Sequence, residues 1–327
     1  MKSNHSDVRV SIVCITYNQD QYISKMLEGL LSQKTTFKYE ILIHDDASTD
    51  KTQDIIRDYQ SKYPEVIKPI LQTENQFSKG VSPNIKFNFP RVAGKYVAFC
   101  EGDDYWSDKN KLQYQYEALE KHQECSICVH DTQCVTKMGN LLDRHFPPID
   151  LKEGVISTRE YLKMELCTVG WIFQTSSYFI RADVINLYVR EYCNKYPVGD
   201  LPLVLFSLQK GDCFYIKRNM SCYRTNSGGV MTGLKNEKKK INHLEKMIVG
   251  HQDFDRFTNY KFHDDFEYAI QNYRFEITYL QGEYKKLFSQ NFRMCFRRQS
   301  RKRKIIILIG NISPKIANQL LKKNGLK

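Results

Sequence analysis

The stretch KYVAFCEGDDYW, residues 95–106, decides the fold. Lys95 to Cys100 is a short apolar run, the pattern of a strand buried on both faces of a parallel sheet. Directly after it, Glu101, Asp103 and Asp104 crowd three carboxylates together. Upstream, Val8 to Ile15, Tyr39 to Ile43 and Val66 to Leu71 read as strands of the same kind. Between the first two, Tyr22, Ile23, Met26, Leu27, Leu30 and Leu31 recur at helical spacing over about residues 21–32. After the second, Ile55, Ile56 and Tyr59 mark one face of another helix. Strand alternating with helix predicts parallel pairing through right-handed crossovers, hence an α/β fold with a mainly parallel sheet flanked by helices. Ligands of such sheets bind beyond the carboxyl ends of the strands. Three polar clusters fall there: Thr16-Tyr17-Asn18, Asp45-Asp46-Ala47-Ser48, and the acidic turn 101–104.

Like charges packed this closely are costly without a compensating cation. A hard divalent ion relieves the repulsion, and magnesium takes one or two carboxylates while water and phosphate oxygens fill its other positions. Glu101, Asp103 and Asp104 are therefore candidate metal ligands in a metal–diphosphate clamp. The alternative is a solvated acidic turn in which Asp104 or Asp108 caps the next helix. The Asp45–Asp46 pair suits a pyrimidine: uracil and thymine present an N3–H between two carbonyls, and a carboxylate accepts it. One of the two reads the base, or both simply support the turn, with Ser48 or Thr49 capping the helix that follows.

Further along, Asp108 opens a helix towards His122, with Leu112, Tyr116 and Leu119 inward, and Ser126 to His130 reads as a strand. Ser157 with Glu160 has the spacing of a capping box, predicting a short helix to about Met164. Thr175 to Arg181 alternates as a strand, and Cys213 to Lys217 as another. His130 is an acceptor-binding or structural histidine, and Trp106 and Trp171 are core residues or sugar platforms. In GDLPLVLF, Asp200 stands at or near the start of a helix with Pro202 in its first turn.

The charge is divided unevenly. Residues 1–230 are neutral overall, so the whole formal excess of +12 lies in residues 231–327. Beyond Glu283 there is no acidic residue, and thirteen basic ones remain. Helical spacings (Phe254, Phe257; Phe266, Ile270, Tyr273, Ile277, Leu280) predict helices packed on the preceding domain or on another subunit, as in a homo-oligomer. Arg293, Arg297, Arg298 and Arg301–Lys304 then precede the apolar run Ile305–Ile309, and Ser313-Pro314 starts a final amphipathic helix. Polybasic sequence beside a short apolar segment is what a peripheral anchor on an anionic membrane requires. A solvated basic face at an oligomer surface is the plain alternative. Nucleic acid is not the expected partner, because no recognisable nucleic-acid module is present. With mean hydropathy −0.53 and no apolar run near the roughly 20 residues of a spanning helix, no membrane crossing is expected. No secretory signal is read at the N-terminus either, so the ten scattered cysteines are expected to be buried, reduced thiols of a cytoplasmic protein associated peripherally with the inner face of the membrane. Cys125 and Cys128 form a lone CxxC without a zinc-finger partner.

Taken in order, ITYNQ (15–19), HDDASTD (44–50), CEGDDYW (100–106) and VGDLPLVLF (198–206) resemble family 2 glycosyltransferases of the GT-A fold, over roughly residues 8–226. That family consists of inverting, nucleotide-sugar-dependent enzymes common in bacterial surface-polysaccharide synthesis. The resemblance implies a GT-A-like domain over 1–230, with a donor half to about residue 107 and an acceptor half from 108, followed by a helical basic extension over 231–327. It implies a nucleotide diphosphate-sugar donor, UDP- or dTDP-linked, with Mn²⁺ or Mg²⁺ on its phosphates, and a glycan or lipid-linked glycan acceptor. Thr16, Tyr17, Asp45 and Asp46, with the adjoining Asn18, fall where the family contacts base and ribose, and Asp103 and Asp104 fall on its metal-binding motif. Where family members often show Asp-x-Asp-Asp, this chain has Glu101-Gly102-Asp103-Asp104. Inversion needs one base to take the acceptor hydroxyl proton, and Asp200 stands where the family keeps it; plain helix capping is the other reading. Arg224, leading the Gly-rich segment 221–229, either covers the diphosphate or makes a surface ion pair. A sugar-phosphate nucleotidyltransferase would carry a Gly-rich, basic loop after the first strand, and ITYNQDQY offers none. A non-catalytic basic adaptor would leave the acidic clusters unexplained.

Overall fold

The structure, a computed structural model, describes residues 8–168, 170–192, 195–225 and 236–323. The chain divides into two compact units, residues 1–193 with 199–227, and 194–198 with 228–327. The short segment 194–198 thus belongs with the C-terminal helices, although it precedes Asp200 in sequence.

The first unit opens with β1 (Val8–Thr16), α1 (Ile23–Leu31), β2 (Lys38–Asp45), α2 (Thr52–Lys62), β3 (Ile67–Leu71) and β4 (Tyr96–Phe99). It continues with β5 (Tyr105–Trp106), α3 (Lys111–Lys121), β6 (Cys125–Val135), β7 (Leu141–Phe146) and β8 (Gly154–Ile156). Next come α4 (Thr158–Leu162), β9 (Phe179–Arg181), α5 (Ala182–Glu191), α6 (Asp200–Ser207) and β10 (Asp212–Arg224). The described strands form one sheet ordered β3-β2-β1-β4-β9-β6-β10-β5, with β7 on β6 and β8 on β10.

The first four strands are parallel to one another, as their continuous apolar runs demand, and Val10, Ile12, Ile41, Ile43, Tyr96 and Ala98 are fully buried there. Register aligns their ends: Thr16 lies beside Asp45, and Asp45 beside Leu71. The rest of the sheet is mixed. β9 runs antiparallel to both β4 and β6, while β6 and β10 are parallel. β9 is shorter than the alternation over 175–181 predicts, because Thr175–Ser177 forms a single 3₁₀ turn with the Ser177 amide on the Gln174 carbonyl at 2.8 Å. The predicted strand 126–130 extends to Val135, and the capping box of Ser157 and Glu160 is formed, starting α4.

The second unit holds α7 (Glu237–Phe257), α8 (His263–Leu280), α9 (Arg293–Arg298), α10 (Arg301–Ile312) and α11 (Pro314–Lys323). Phe275, Tyr284, Leu287, Cys295, Ile306 and Ile307 form a core there. Among the described residues no helix is long and apolar enough to cross a membrane.

Candidate functional site

The polar clusters at the ends of β1 and β2 interlock. Asn18, at φ 52°, accepts the Thr49 amide at 2.8 Å, and its own amide donates to the Ser48 hydroxyl at 2.8 Å. Asp45 is fully buried; its Oδ1 accepts the Ser48 amide at 2.9 Å and the Gln53 Nε2 at 2.7 Å, and its Oδ2 accepts the Ser48 hydroxyl. Asp46, also buried, accepts the amides of Gln76 (2.8 Å) and Phe77 (3.0 Å), one on each oxygen. Its Oδ1 also lies 3.3 Å from Nε2 of the buried His44. Both aspartates thus hold turns, and of the roughly four acceptor positions a carboxylate offers, few are left for a ligand. Thr16 is buried with its hydroxyl on Gln19 Oε1, whereas Tyr17 is 47% exposed, an aromatic surface at this end of the sheet.

The acidic turn is pressed against β1. The Gly102 amide donates to the Ile15 carbonyl at 3.0 Å, and a Cβ at position 102 would stand 2.7 Å from the Thr16 hydroxyl. Only glycine fits this approach, which brings the turn beside Thr16. The two adjacent aspartates then meet different fates. Asp104 is buried, and its Oδ1 accepts the Arg224 amide at 2.9 Å. Asp103 is half-buried, and its backbone carbonyl accepts Arg224 Nε at 2.9 Å. Desolvation and the neighbouring charges of Asp103 and Asp200 push the Glu101 carboxyl up to about 8. Burial, Asp103 and Glu101 likewise hold Asp104 well above the usual carboxylate range. Among the described residues no three Asp, Glu, His or Cys side chains form a ready metal cage. Asp104 is thus turned inward, while Glu101 and Asp103 stand nearer the surface of the turn. Two hard oxygen donors still fit a divalent ion whose remaining positions phosphate and water complete.

Arg224 lies at the end of a strand longer than expected. β10 runs through it instead of ending at Lys217, and its side chain is buried at 5% exposure. Besides Asp103, the guanidinium donates to the carbonyls of Lys137 (2.8 Å) and Thr136 (3.4 Å) and lies 4.5 Å from the Tyr22 ring centroid. Its guanidinium ties the acidic turn to the 136–137 loop; the Gly-rich residues 226–229, on which the expected flap falls, lie outside the described residues.

Asp200 is the first residue of α6, preceded by Gly199. Its Oδ1 accepts the Leu201 amide at 2.8 Å, and its Oδ2 accepts the Thr175 hydroxyl at 3.3 Å. Burial raises its pKa despite both bonds. The fold brings it close enough to Glu101, a hundred residues earlier, for its charge to raise that carboxyl. A residue that sequence reading missed joins them. Glu165, in the wide turn Lys163–Thr168, accepts the Ile172 amide at 3.1 Å, and burial with the Asp200 charge raises it to about 7. No local signal in MELCT marks it; only the fold sets it near Asp200.

Other expected residues settle into the core. Trp106 is buried with the Lys111 ammonium 3.9 Å from its ring, and His130 is buried with Nδ1 2.7 Å from the Asp131 carbonyl. Trp171 remains half-buried, its indole N–H on the Phe173 carbonyl at 2.8 Å. Cys125 and Cys128 are buried free thiols, as are Cys14, Cys100, Cys134, Cys213, Cys222 and Cys295.

A sheet of this order, with an acidic turn after β4 and, at the start of α6, a carboxylate whose charge reaches Glu101, has the GT-A fold. Residues 11–181 match the model of "Glycosyl transferase family 2", and the chain belongs to that family. It is 34% identical over 232 residues to the uncharacterized protein Rv1520 of Mycobacterium tuberculosis, a match covering 71% of this chain and 63% of that one. The chain thus spans less than two thirds of that relative. It is 32% identical over 135 residues to the putative teichuronic acid biosynthesis glycosyltransferase TuaG of Bacillus subtilis, covering 41% of this chain and 51% of TuaG. In fold it is similar to S. aureus TarS 1-349 in complex with UDP-GlcNAc, with TM-score 0.57, 15% identity and coverage of 97% of this chain and 92% of that one. It is also similar to the mannosyltransferase PcManGT of Pyrobaculum calidifontis in complex with GDP-Man and Mn²⁺, with TM-score 0.53, 13% identity and coverage of 95% and 87%.

Proposed function

We propose that this chain is an inverting glycosyltransferase that moves a sugar from a UDP- or dTDP-sugar to a hydroxyl of a glycan or lipid-linked glycan in surface-polysaccharide synthesis. The observation that supports it is the convergence of Glu101 and Asp103 from the end of β4 with Asp200 from the start of α6 in one electrostatic neighbourhood. TuaG is named for teichuronic acid biosynthesis, and TarS and PcManGT are described with nucleotide sugars, PcManGT also with Mn²⁺. Glu101 and Asp103 are the residues that would hold Mn²⁺ or Mg²⁺, which when bound neutralises the charge of the donor diphosphate. Tyr17 offers a face for the base, and the loops pinned by Asn18, Asp45 and Asp46 shape its pocket around Thr16. Asp200 takes the proton of the acceptor hydroxyl as that oxygen bonds to the anomeric carbon and the bond from that carbon to the diphosphate breaks with inversion. Burial, which raises the pKa of Asp200, makes it a stronger base than an exposed aspartate. We propose further that residues 1–230 divide into donor and acceptor halves near residue 107, and that the basic C-terminal region brings the enzyme to the inner face of an anionic membrane.

A thermal-shift panel of UDP, dTDP, GDP, CDP and ADP, each with and without Mn²⁺, tests the reading, because a ligand that binds only the folded state raises its stability. A Mn²⁺-dependent shift confined to UDP or dTDP is expected. Equal shifts for all five, or none with any, would overturn the donor assignment.

A further inference from the structure

In the second unit, α10 has a fixed inner face. Ile306, Ile307 and Gly310 are buried, and Arg303 pairs with Glu276. A Cβ on Gly310 would stand 2.4 Å from the Tyr284 ring, so the helix packs there too tightly to rotate. This rotation sends Arg301, Ile305, Leu308 and Ile312 outward along one stripe, at i, i+4, i+7 and i+11. Ile305 is 55% exposed, Leu308 49% and Ile312 87%, and Ile316 follows on α11 at 51%. Around them stand exposed Arg301, Lys302 and Lys315 and half-buried Lys304, and the sequence holds no acidic residue after Glu283.

Exposed aliphatic side chains flanked along the chain by cations and by no carboxylate select their partner. Single-stranded nucleic acid meets the cations but stacks on aromatic rings, of which this stripe has none. A second copy meeting the same face would set cation against cation. A lipid surface satisfies both, with anionic headgroups for the cations and the acyl boundary for the side chains. We infer that the α10 stripe Arg301, Ile305, Leu308 and Ile312 is a docking face for an anionic bilayer, with the helix lying in the interface plane. This names the surface that the membrane part of the proposed function uses, and it rests on that part.

The full chain is floated with phosphatidylcholine vesicles and with phosphatidylcholine–phosphatidylglycerol vesicles at about 70:30, a charge density on which each basic residue counts for about 1 kcal/mol. Three double variants are compared: Leu308→Asp with Ile312→Asp, Arg301→Glu with Lys302→Glu, and, off the stripe on α7, Lys238→Glu with Lys239→Glu. All six positions are exposed, and circular-dichroism melting checks that each variant is folded. The wild type is expected to float only with the anionic vesicles. Each stripe pair should lower the partition coefficient at least roughly thirtyfold, or about 2 kcal/mol, and the α7 pair by no more than about twofold. If the wild type floats and the stripe variants float equally well, this face is refuted while membrane binding stands. If the wild type floats with neither vesicle, membrane binding itself falls. Retention on RNA without flotation, or a dimer by light scattering that the stripe variants break, assigns the face to another occupant and overturns the inference.

Discussion

Replacing Asp200 with asparagine isolates its proposed role as base. The substitution is nearly isosteric: the amide oxygen can keep the Leu201 N–H, held at 2.8 Å, and the amide nitrogen can face the Thr175 hydroxyl in its place. Folding and donor binding should therefore stay at wild-type levels. What is lost is the proton acceptor, and a positioned general base is worth about 10²–10⁴ in rate, roughly 3–5 kcal/mol of barrier. The assay follows nucleoside diphosphate released from the donor, with an added glycan acceptor or with water, since either nucleophile loses a proton. A companion variant, Thr175→Val, removes the hydroxyl 3.3 Å from Oδ2 that stabilises the charged form. A hydrogen bond to a charged group is worth about 1.5–3 kcal/mol, and this long one belongs at the lower end. The sign follows from the protonation state. Burial has already raised the pKa of Asp200, and activity needs the carboxylate, so the rate falls as pH drops through that raised value. Without Thr175 the fall begins at higher pH, costing up to roughly tenfold on the acid limb and little on the plateau. Release by Asp200→Asn within about twofold of wild type, with donor-induced stabilisation intact, would remove Asp200 from the chemistry.

Other outcomes follow from single contacts. Lys111 is fully buried over Trp106, bonded to Gln115 at 2.6 Å, and desolvation lowers its pKa to about 7. A lysine with a lowered folded pKa destabilises the fold fully below that value and not at all above about 10.4, so wild-type stability should rise across this window. Lys111→Met should gain about 2–5 kcal/mol at pH 7 and show no such rise in urea unfolding at pH 7 and 10; an unchanged slope would contradict the burial argument. Asp104→Ala should cost about 1–3 kcal/mol of stability by leaving the buried Arg224 amide unpaired. Asp103→Ala should abolish the Mn²⁺-dependent part of the donor shift, read by calorimetry with and without chelator; a wild-type Mn²⁺-dependent shift would remove Asp103 from the metal site.

Half of this fold was legible because a parallel sheet makes its strands legible. β1, β2 and β4 are largely buried, so their sequences are predominantly apolar, and the polar clusters at their ends mark the ligand edge. β9 starts later than read because its run begins with Thr175, Ser176 and Ser177, and the Ser177 hydroxyl bonds the Gln174 carbonyl in a turn that precedes the pairing. Ile305–Ile309 is too short to reveal a period, and its two faces appear only when Gly310 seats the helix on Tyr284. Arg224 looked like a loop residue because a Gly-rich run follows it. Its partners are backbone carbonyls 87 to 121 positions away, and carbonyls carry no sequence signal.

The aspartate doublet shows why site residues are harder to read than strands. Asp103 and Asp104 share a charge, a neighbourhood and a motif, so sequence assigns them one role. The turn that Gly102 permits separates them. Its backbone hydrogen bonds draw Asp104 inward, where desolvation would be unfavourable if its carboxylate did not accept the Arg224 amide. Arg224 can supply that amide because its guanidinium is itself anchored on Asp103, Thr136 and Lys137 carbonyls. One carboxylate of the pair therefore holds the turn, while its neighbour stays half-buried near Glu101, whose carboxyl both it and Asp200 raise. A substitution at Arg224 should consequently act on the site as Asp104→Ala does, through the geometry of the turn: Arg224→Met should lower stability and weaken metal-dependent donor binding together. Loss of donor binding at full stability would instead mean that the guanidinium reaches the diphosphate itself.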